Sequence, residues 1–266
     1  AVLARNNMQI GISSLTSTSA GVINTAFPKM VLTLFMQRGT PFYTDDLRST
    51  NLKSVAAIQS FGQLTDFYTK YGLPIYFDAN NRFRTGEMPI IIAPLSTYNT
   101  LAISAPEIAG RWSIDRIPGT VQADGSINRA GEFTATGCVM FRSAKDTQAC
   151  WSFLKWWTSA DTQYRYGMEL EAVLGASGRY MTANRQAFEK LPWDSATAAT
   201  IRSQWAETDT VPQVPGYYFV SRHLTNAISD TIVNGENAQV ALERYADTIN
   251  AEMKRKSEQI DALWDE

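Results

Sequence analysis

The run Met88 to Pro94 constrains the fold of this chain more than any other feature, because three isoleucines stand in a row between two prolines. An unbroken β-branched run of this kind is typical of a strand that is covered on both faces. Such strands belong to parallel sheets that are flanked by helices. The run therefore predicts an α/β protein with helices elsewhere in the chain.

Helical patterns lie on both sides of this run. Two helices are predicted near the C-terminus, at about residues 217–233 and 237–260, and a third opens at Ser143 to Asp146, whose spacing resembles a capping box. A fourth follows Asn51, where apolar residues recur every three or four positions. Its apolar residues are Val55, Ile58, Phe61, Leu64, Tyr68 and Tyr71.

Composition excludes several classes of protein. The net charge is −2, and Lys and Arg are scattered apart from the short run Lys254 to Lys256, so we expect no nucleic-acid partner. No apolar stretch approaches the roughly 18 residues that cross a bilayer. One histidine, His223, and two separated cysteines offer neither a zinc motif nor a histidine-based triad. We expect no metal, no cofactor and a structural role for His223.

The cysteines and the first residues of the chain bear on whether the protein is exported from the cytoplasm. A disulfide between Cys138 and Cys150 would be compatible with secretion, although two small buried thiols are the simpler expectation. The chain starts at Ala1 without an initiator methionine or a signal region. We therefore expect any export signal or lipid anchor to lie upstream.

Short motifs follow one another in a fixed order along most of the chain. They are Phe83-x-x-Gly86-Glu87-x-Pro89-Ile90-Ile91-Ile92, Ala109-Gly110-Arg111-Trp112, Ile117-Pro118-Gly119, the segment Trp151 to Gln163, Tyr218-x-x-Ser221-Arg222 and Asn234-Gly235-Glu236. Each motif alone is weakly specific. In this order they resemble the C-terminal portion of the family 1 extracellular solute-binding proteins of ABC importers, the maltose-binding-protein-like receptors.

The resemblance implies a type II periplasmic-binding-protein-like lobe, with a mixed sheet flanked by helices, and part of a second lobe. Residues 1–134 and 210–266 would form the C-terminal lobe, and residues 135–209 would belong to the other lobe, most of which is missing. The implied function is binding of a small-molecule ligand, a sugar, and its delivery to an ABC transporter permease by hinge closure. The implied location is extracellular, at the cell surface or periplasmic, with any membrane anchor outside this chain.

The resemblance also implies ligand-binding residues in two segments. One is a loop after the Ile90 to Ile92 strand, with Ser96, and the other is the start of the penultimate helix. The proposed contacts are Thr97, Tyr98, Asn99, Tyr217, Tyr218 and Arg222. Sugar pockets combine aromatic platforms with planar polar groups, and Tyr218 and Arg222 share one helix face because they are four residues apart. Asn24, Thr25 and Phe27 are further candidates.

Other interpretations of these residues stay open. The two tyrosines of the penultimate helix could pack it onto the lobe while Arg222 pairs with a carboxylate, and the tryptophans are expected to build cores. Those tryptophans are Trp112, Trp151, Trp156 and Trp157. A surface module that binds carbohydrate or protein without transport is one rival function. A glycoside hydrolase is the other, with Glu132, Asp161 and Glu169 as candidate carboxylates, but nothing in the sequence pairs them.

Overall fold

The computed structural model of the protein describes residues 2–12, 29–133 and 135–264. The chain divides into two compact units. Unit 1 comprises Ala1–Ala93, Asp115–Phe133 and Ile201–Glu266, and unit 2 comprises Pro94–Ile114 and Thr134–Thr200. Residues 94–114 thus lie with the second unit, whereas the expected lobe boundary would place them in the first.

Unit 1 holds most of the secondary structure. Its helices are α1 (Val2–Arg5), α2 (Lys29–Met36), α3 (Val55–Thr69), α4 (Ala79–Arg84), α10 (Tyr217–Ile232) and α11 (Ala238–Trp264). Its strands are β1 (Ile10–Ile12), β2 (Ile90–Ile92), β3 (Thr120–Val121), β4 (Ile127–Asn128), β5 (Gly131–Glu132) and β6 (Thr208–Asp209). The two predicted C-terminal helices are confirmed to within a few residues.

Unit 2 is built from helices. They are α5 (Thr97–Ser104), α6 (Thr147–Thr158), α7 (Ala160–Leu174) and α8 (Arg185–Phe188), with 3₁₀ turns at Pro106–Ile108 and Gly175–Gly178. Helix α9 (Ser195–Trp205) runs from unit 2 into unit 1. Asp146 caps the start of α6 by accepting a hydrogen bond from the backbone N–H of Ala149 at 2.8 Å, so the helix opens at the end of the predicted capping box.

The isoleucine run forms a strand, as predicted, and pairs in parallel with β1 so that Ile10 lies opposite Ile90. The expectation that it is covered on both faces is wrong for the part of the chain that the structure describes. β1 is its one neighbour there, and the side chain of Ile90 is 52% exposed. Within the described residues there are three sheets of two strands each, with β3 and β4 antiparallel and β5 and β6 parallel.

One hydrophobic core holds unit 1 together. Helices α10 and α11 pack against each other and against α3, and α2 packs on α3. Ser54 caps α3, and the middle of its predicted apolar stripe is buried, but Val55 and Tyr71 at its two ends are 71% and 70% exposed. The largest side chains of this core include Leu32, Phe35, Leu52, Phe61, Leu64, Leu224, Ile228, Leu242, Ile249 and Met253.

A buried glutamine fixes the antiparallel hairpin of unit 1. The Gln37 side chain donates to the carbonyl oxygens of Pro118 and Ala130 at 3.0 and 3.1 Å, and accepts from the Thr120 hydroxyl at 2.8 Å. The backbone carbonyl of Gln37 accepts hydrogen bonds from the side chains of Gln122 and Asn128. Because these groups satisfy one another, a fully buried polar side chain is tolerated here.

Helix α6 differs from every helix of the unit 1 core because none of its residues is buried. Trp151, Phe153 and Trp156 are 52%, 52% and 56% exposed. The expectation that the tryptophans build cores is therefore wrong for Trp151 and Trp156, while Trp112 and Trp157 are half-buried. Helical spacing places the aromatic residues on α6, but spacing alone does not supply the surface that would cover them.

The two cysteines do not form a disulfide. Cys138 and Cys150 are free, and Cys138 is exposed, so the expectation of two buried thiols is wrong. Within residues 2–12, 29–133 and 135–264, no group of three or more His, Cys, Asp or Glu side chains could hold a metal ion. None of the helices described there is long and apolar enough to span a membrane.

Candidate functional site

The predicted unit 1 residues lie at the first turns of α10. Gly216 precedes this helix with a φ of 86°, a left-handed conformation that favours glycine, and a Cβ atom there would come within 3.3 Å of the Met253 backbone. The helix consequently starts at a fixed place, with Tyr217 half-buried and Tyr218 exposed. The alternative that both tyrosines pack the helix onto the core fits Tyr217 better than Tyr218.

Tyr218 and Arg222 both point away from the core, as the four-residue spacing predicts. The Arg222 guanidinium lies 5.8 Å from the centre of the Phe219 ring, and the Phe219 ring lies 4.9 Å from that of Tyr218. The Tyr218 hydroxyl contributes to lowering the pKa of Glu252, whose main partner is Arg255. This face of the helix presents an aromatic ring and a guanidinium together, the pair that stacks on and hydrogen-bonds to a polar ring.

A second cluster in unit 1 includes Tyr217 and Glu132, and the sequence did not predict that these residues interact. Burial raises the pKa of the Tyr43 hydroxyl, and the nearby Tyr217 raises it further. Burial and the Glu132 carboxylate likewise raise the pKa of Tyr217. The Tyr43 hydroxyl is enclosed and has no hydrogen-bond partner in the structure. Two phenols and a carboxylate of unit 1 therefore interact electrostatically, and no motif in the sequence links them because they are far apart along the chain.

The other predicted residues, Thr97, Tyr98 and Asn99, lie in unit 2. They form the first turn of α5 rather than a loop, because the backbone N–H groups of Thr97 and Tyr98 donate to Pro94 and Leu95 at 2.9 Å and continue into a helix without glycine or proline. All three side chains are half-buried. Tyr98 is thus held on a regular element, and its ring direction is set by its neighbours.

Two tryptophans surround the Tyr98 ring. The ring centres of Trp112 and Trp193 lie 5.3 and 5.2 Å from it, in edge and tilted arrangements that favour aromatic pairs. The Arg179 guanidinium lies 5.4 Å from the centre of the Trp193 ring. Trp193 was missed in the sequence, although the Asp194 that follows it caps α9 through a 2.8 Å hydrogen bond from Thr197 and so fixes its position.

A shielded ion pair anchors this aromatic group. Arg179 contacts Glu171 through both Nε and Nη2, and the two side chains are only 16% and 17% exposed. The hydrogen bond with Glu171 raises the pKa of Arg179, although burial opposes it. Asn99 donates from Nδ2 to the Arg179 carbonyl at 2.7 Å, and this hydrogen bond connects α5 to the segment that follows the 3₁₀ turn Gly175–Gly178.

Other expected or possible sites receive less support. Asn24, Thr25 and Phe27 lie outside the described residues. Asp161 pairs with Arg165 at 3.0 Å on the surface of α7, and Glu169 is exposed on the same helix. Two shallow grooves of unit 1 flank Arg38, one lined by Asp66 and Tyr71 and the other by Val55 and Thr120. Neither groove contains a residue of the predicted ligand site.

Comparisons with known proteins give a consistent family and fold. The profile of the bacterial extracellular solute-binding proteins matches residues 19–176. No curated protein sequence matches the chain. Among solved structures, an ABC transporter solute-binding protein from Thermotoga lettingae, bound with α-D-tagatose, has a TM-score of 0.71 at 16% identity over 94% of this chain.

Two further solved structures give similar results. The sugar-binding protein MalE from Xanthomonas citri has a TM-score of 0.69 at 16% identity over 88% of this chain. The maltose/maltodextrin-binding domain MalE from Bdellovibrio bacteriovorus, bound to maltotriose, has a TM-score of 0.64 at 17% identity over 94% of it. This chain spans 61%, 57% and 66% of these three proteins. At identities this low, the structural similarity shows a shared fold and nothing more.

Proposed function

Because the chain belongs to the bacterial extracellular solute-binding proteins, we propose that it binds a sugar outside the cytoplasm and delivers it to an ABC transporter permease. The fold is the α/β, type II periplasmic-binding-protein-like fold that the sequence motifs predict. The observation that carries the proposal is the family match across residues 19–176. Sugars bound to two of the structural relatives support the ligand class.

We propose ligand-contact side chains in each unit taken by itself. In unit 1 they are Tyr217, Tyr218 and Arg222, of which Tyr218 and Arg222 offer an exposed ring and an exposed fork of donors. In unit 2 they are Thr97, Tyr98 and Asn99 at the start of α5. A sugar ring has an apolar face and a rim of hydroxyl groups, so rings and planar polar groups together suit it.

We also propose the two-lobe layout, with residues 1–134 and 210–266 in the C-terminal lobe and 135–209 in the other. The exposed aromatic residues of α6 support it, because a helix with three large exposed rings is unusual on a free surface. The structural relatives are longer than this chain. In the complete receptor, the part that this chain lacks would cover the exposed rings of α6. Hinge closure of the complete protein around the sugar would create the shape that the permease recognises.

Binding of a small molecule without bond cleavage follows from the same proposal. A glycoside hydrolase needs two carboxyl groups about 5–10 Å apart on either side of one bond. In the structure Asp161 is paired with Arg165 and shares the surface of α7 with Glu169, while Glu132 lies on β5 in unit 1. We therefore expect no hydrolysis, and a sugar added to the protein should be recovered intact.

Calorimetry with a panel of oligosaccharides tests the function. The panel is titrated into the 266-residue chain and into a chain extended by its upstream coding sequence. We expect saturable heat with the extended chain, and we expect Tyr218→Ala to weaken binding about tenfold through loss of a stacking ring. Val240→Ala, which removes an exposed side chain of α11, is the matched control. Absence of binding to every sugar by the extended chain would contradict the proposal.

A further inference from the structure

One donor and one acceptor in the aromatic group around Tyr98 are buried and have no hydrogen-bond partner in the structure. They are the indole Nε1 of Trp193 and the side-chain Oδ1 of Asn99. Trp193 is only 9% exposed, and the amide nitrogen of Asn99 already donates to the Arg179 carbonyl. A buried polar group without a partner loses its hydrogen bonds to water without replacement, so two such atoms in one group of side chains need an explanation.

The two atoms belong to one small region. Trp193 packs on the Tyr98 ring at 5.2 Å between ring centres, and Asn99 is the next residue along α5. Arg179 contacts both residues, since its guanidinium lies 5.4 Å from the centre of the Trp193 ring and its carbonyl accepts a hydrogen bond from Asn99. The unpartnered donor and the unpartnered acceptor thus flank the same residue.

The chemistry of the group selects one kind of occupant. Trp193 needs an acceptor and Asn99 needs a donor, and a hydroxyl group, like water or an amide, serves as both, whereas a carboxylate only accepts and an ammonium only donates. The charge of Arg179 is already matched by Glu171, so this guanidinium does not call for an anionic ligand. The rings of Tyr98, Trp112 and Trp193 suit the apolar face of a cyclic ligand.

We propose that Trp193 and Asn99 form a subsite for one hydroxyl group of a neutral, polyhydroxylated ring, an inference that rests on the proposed function. Both atoms are closed to solvent in the structure, so the half-buried Tyr98 ring must rotate aside for the hydroxyl to enter. Tyr98 then covers the ligand ring, and the Glu171–Arg179 pair keeps the subsite neutral and holds Asn99 in place. Selectivity for neutral sugars over charged ones follows from this arrangement.

Nuclear magnetic resonance of the tryptophan indole groups tests the subsite. The extended chain is labelled with ¹⁵N, the Trp193 indole signal is assigned with Trp193→Phe, and maltotriose and D-tagatose are added in turn. We expect the Trp193 signal to shift with whichever sugar gives heat in calorimetry. Trp193→Phe, which keeps a ring and removes the N–H, should weaken that sugar about tenfold, and Trp151→Phe should bind it normally.

The outcomes separate the subsite from the general function. If a sugar binds but the Trp193 signal does not move, or if Trp193→Phe binds with unchanged affinity, the subsite is wrong and sugar binding stands. A crystal structure of the sugar complex with a water molecule bridging Trp193 and Asn99 would also overturn it. If neither sugar nor any other member of the oligosaccharide panel binds, the proposed function fails, and this inference fails with it.

Discussion

Units 1 and 2 use their apolar residues in opposite ways. In unit 1 the large side chains of α3, α10 and α11 converge on one core in which many are fully buried. In unit 2 the α6 side chains Trp151, Phe153 and Trp156 are exposed, and so are Val139, Phe141, Val173 and Leu174. The difference is that unit 1 buries its large apolar side chains in one core, whereas α6 of unit 2 leaves three large rings exposed. We expect the complete receptor to cover these rings.

The largest expected contrast is between a core truncation and a surface truncation. Leu224→Ala in α10 should destabilise the 266-residue chain by about 3 kcal/mol, because it removes a completely buried side chain. Trp156→Ala in α6 should change the free energy of unfolding by no more than about 0.5 kcal/mol. Urea denaturation of both variants measures this, and an equal loss in the two would mean that α6 is already covered.

Two buried glutamines give the next contrast. Gln37→Leu should cost about 2 kcal/mol in global unfolding, since Pro118 and Ala130 lose their donors inside unit 1. Gln163→Leu removes the acceptor of Tyr180 and Thr182 in unit 2. We expect its effect as faster amide hydrogen exchange confined to unit 2. A Gln163→Leu variant with a midpoint shift as large as that of Gln37→Leu would show that the units unfold together.

A smaller difference in stability is expected between a shielded ion pair of unit 2 and an exposed ion pair of unit 1. Glu171→Gln should destabilise the protein by about 1 kcal/mol, because its partner Arg179 is largely shielded from water. Asp247→Asn breaks the exposed pair with Lys53 in unit 1 and should cost less than about 0.5 kcal/mol. Thermal melts at low and high salt provide the measurement, and equal losses would remove the case for an ordered site in unit 2.

The smallest expected effect concerns the one histidine. Burial, with a contribution from Arg222, lowers the pKa of His223 below its usual value of 6.5. The Phe219 and Tyr245 rings stack on it, and Asp230, Glu236 and Arg244 surround Tyr245. The folded state therefore resists protonation, so stability is fully present above pH 6.5 and declines slightly as the pH falls through the lowered pKa. His223→Phe should flatten this decline in denaturation curves between pH 7 and pH 5.

The sequence predicted where helices and strands form better than it predicted which side chains are buried. Periodicity located α3, α10 and α11, and the β-branched run located β2, because these signals depend on nearby residues. Exposure of Ile90, Trp151 and Trp156 depends on which distant segments cover them, and spacing carries no such information. For the same reason Val55 and Tyr71, at the two ends of the predicted apolar stripe of α3, are exposed.

The candidate site was predictable in part. Tyr218 and Arg222 stand on one exposed face because their spacing is a local property of the helix. Trp193, Arg179 and Glu171 meet Tyr98 through folding of remote segments, and only the capping residue after Trp193 hinted that its position is fixed. The ligand roles of Thr97 to Asn99 and of Tyr217 to Arg222 stay predictions.

Hydrogen exchange across α6 tests the central contrast most directly. In the 266-residue chain we expect the amides of Thr147–Thr158 to exchange much faster than those of α10 and α11. In the chain extended by its upstream sequence, α6 should become strongly protected while α10 and α11 stay unchanged. If α6 is as well protected in the 266-residue chain as in the extended chain, the aromatic face needs no cover and the account of unit 2 is wrong.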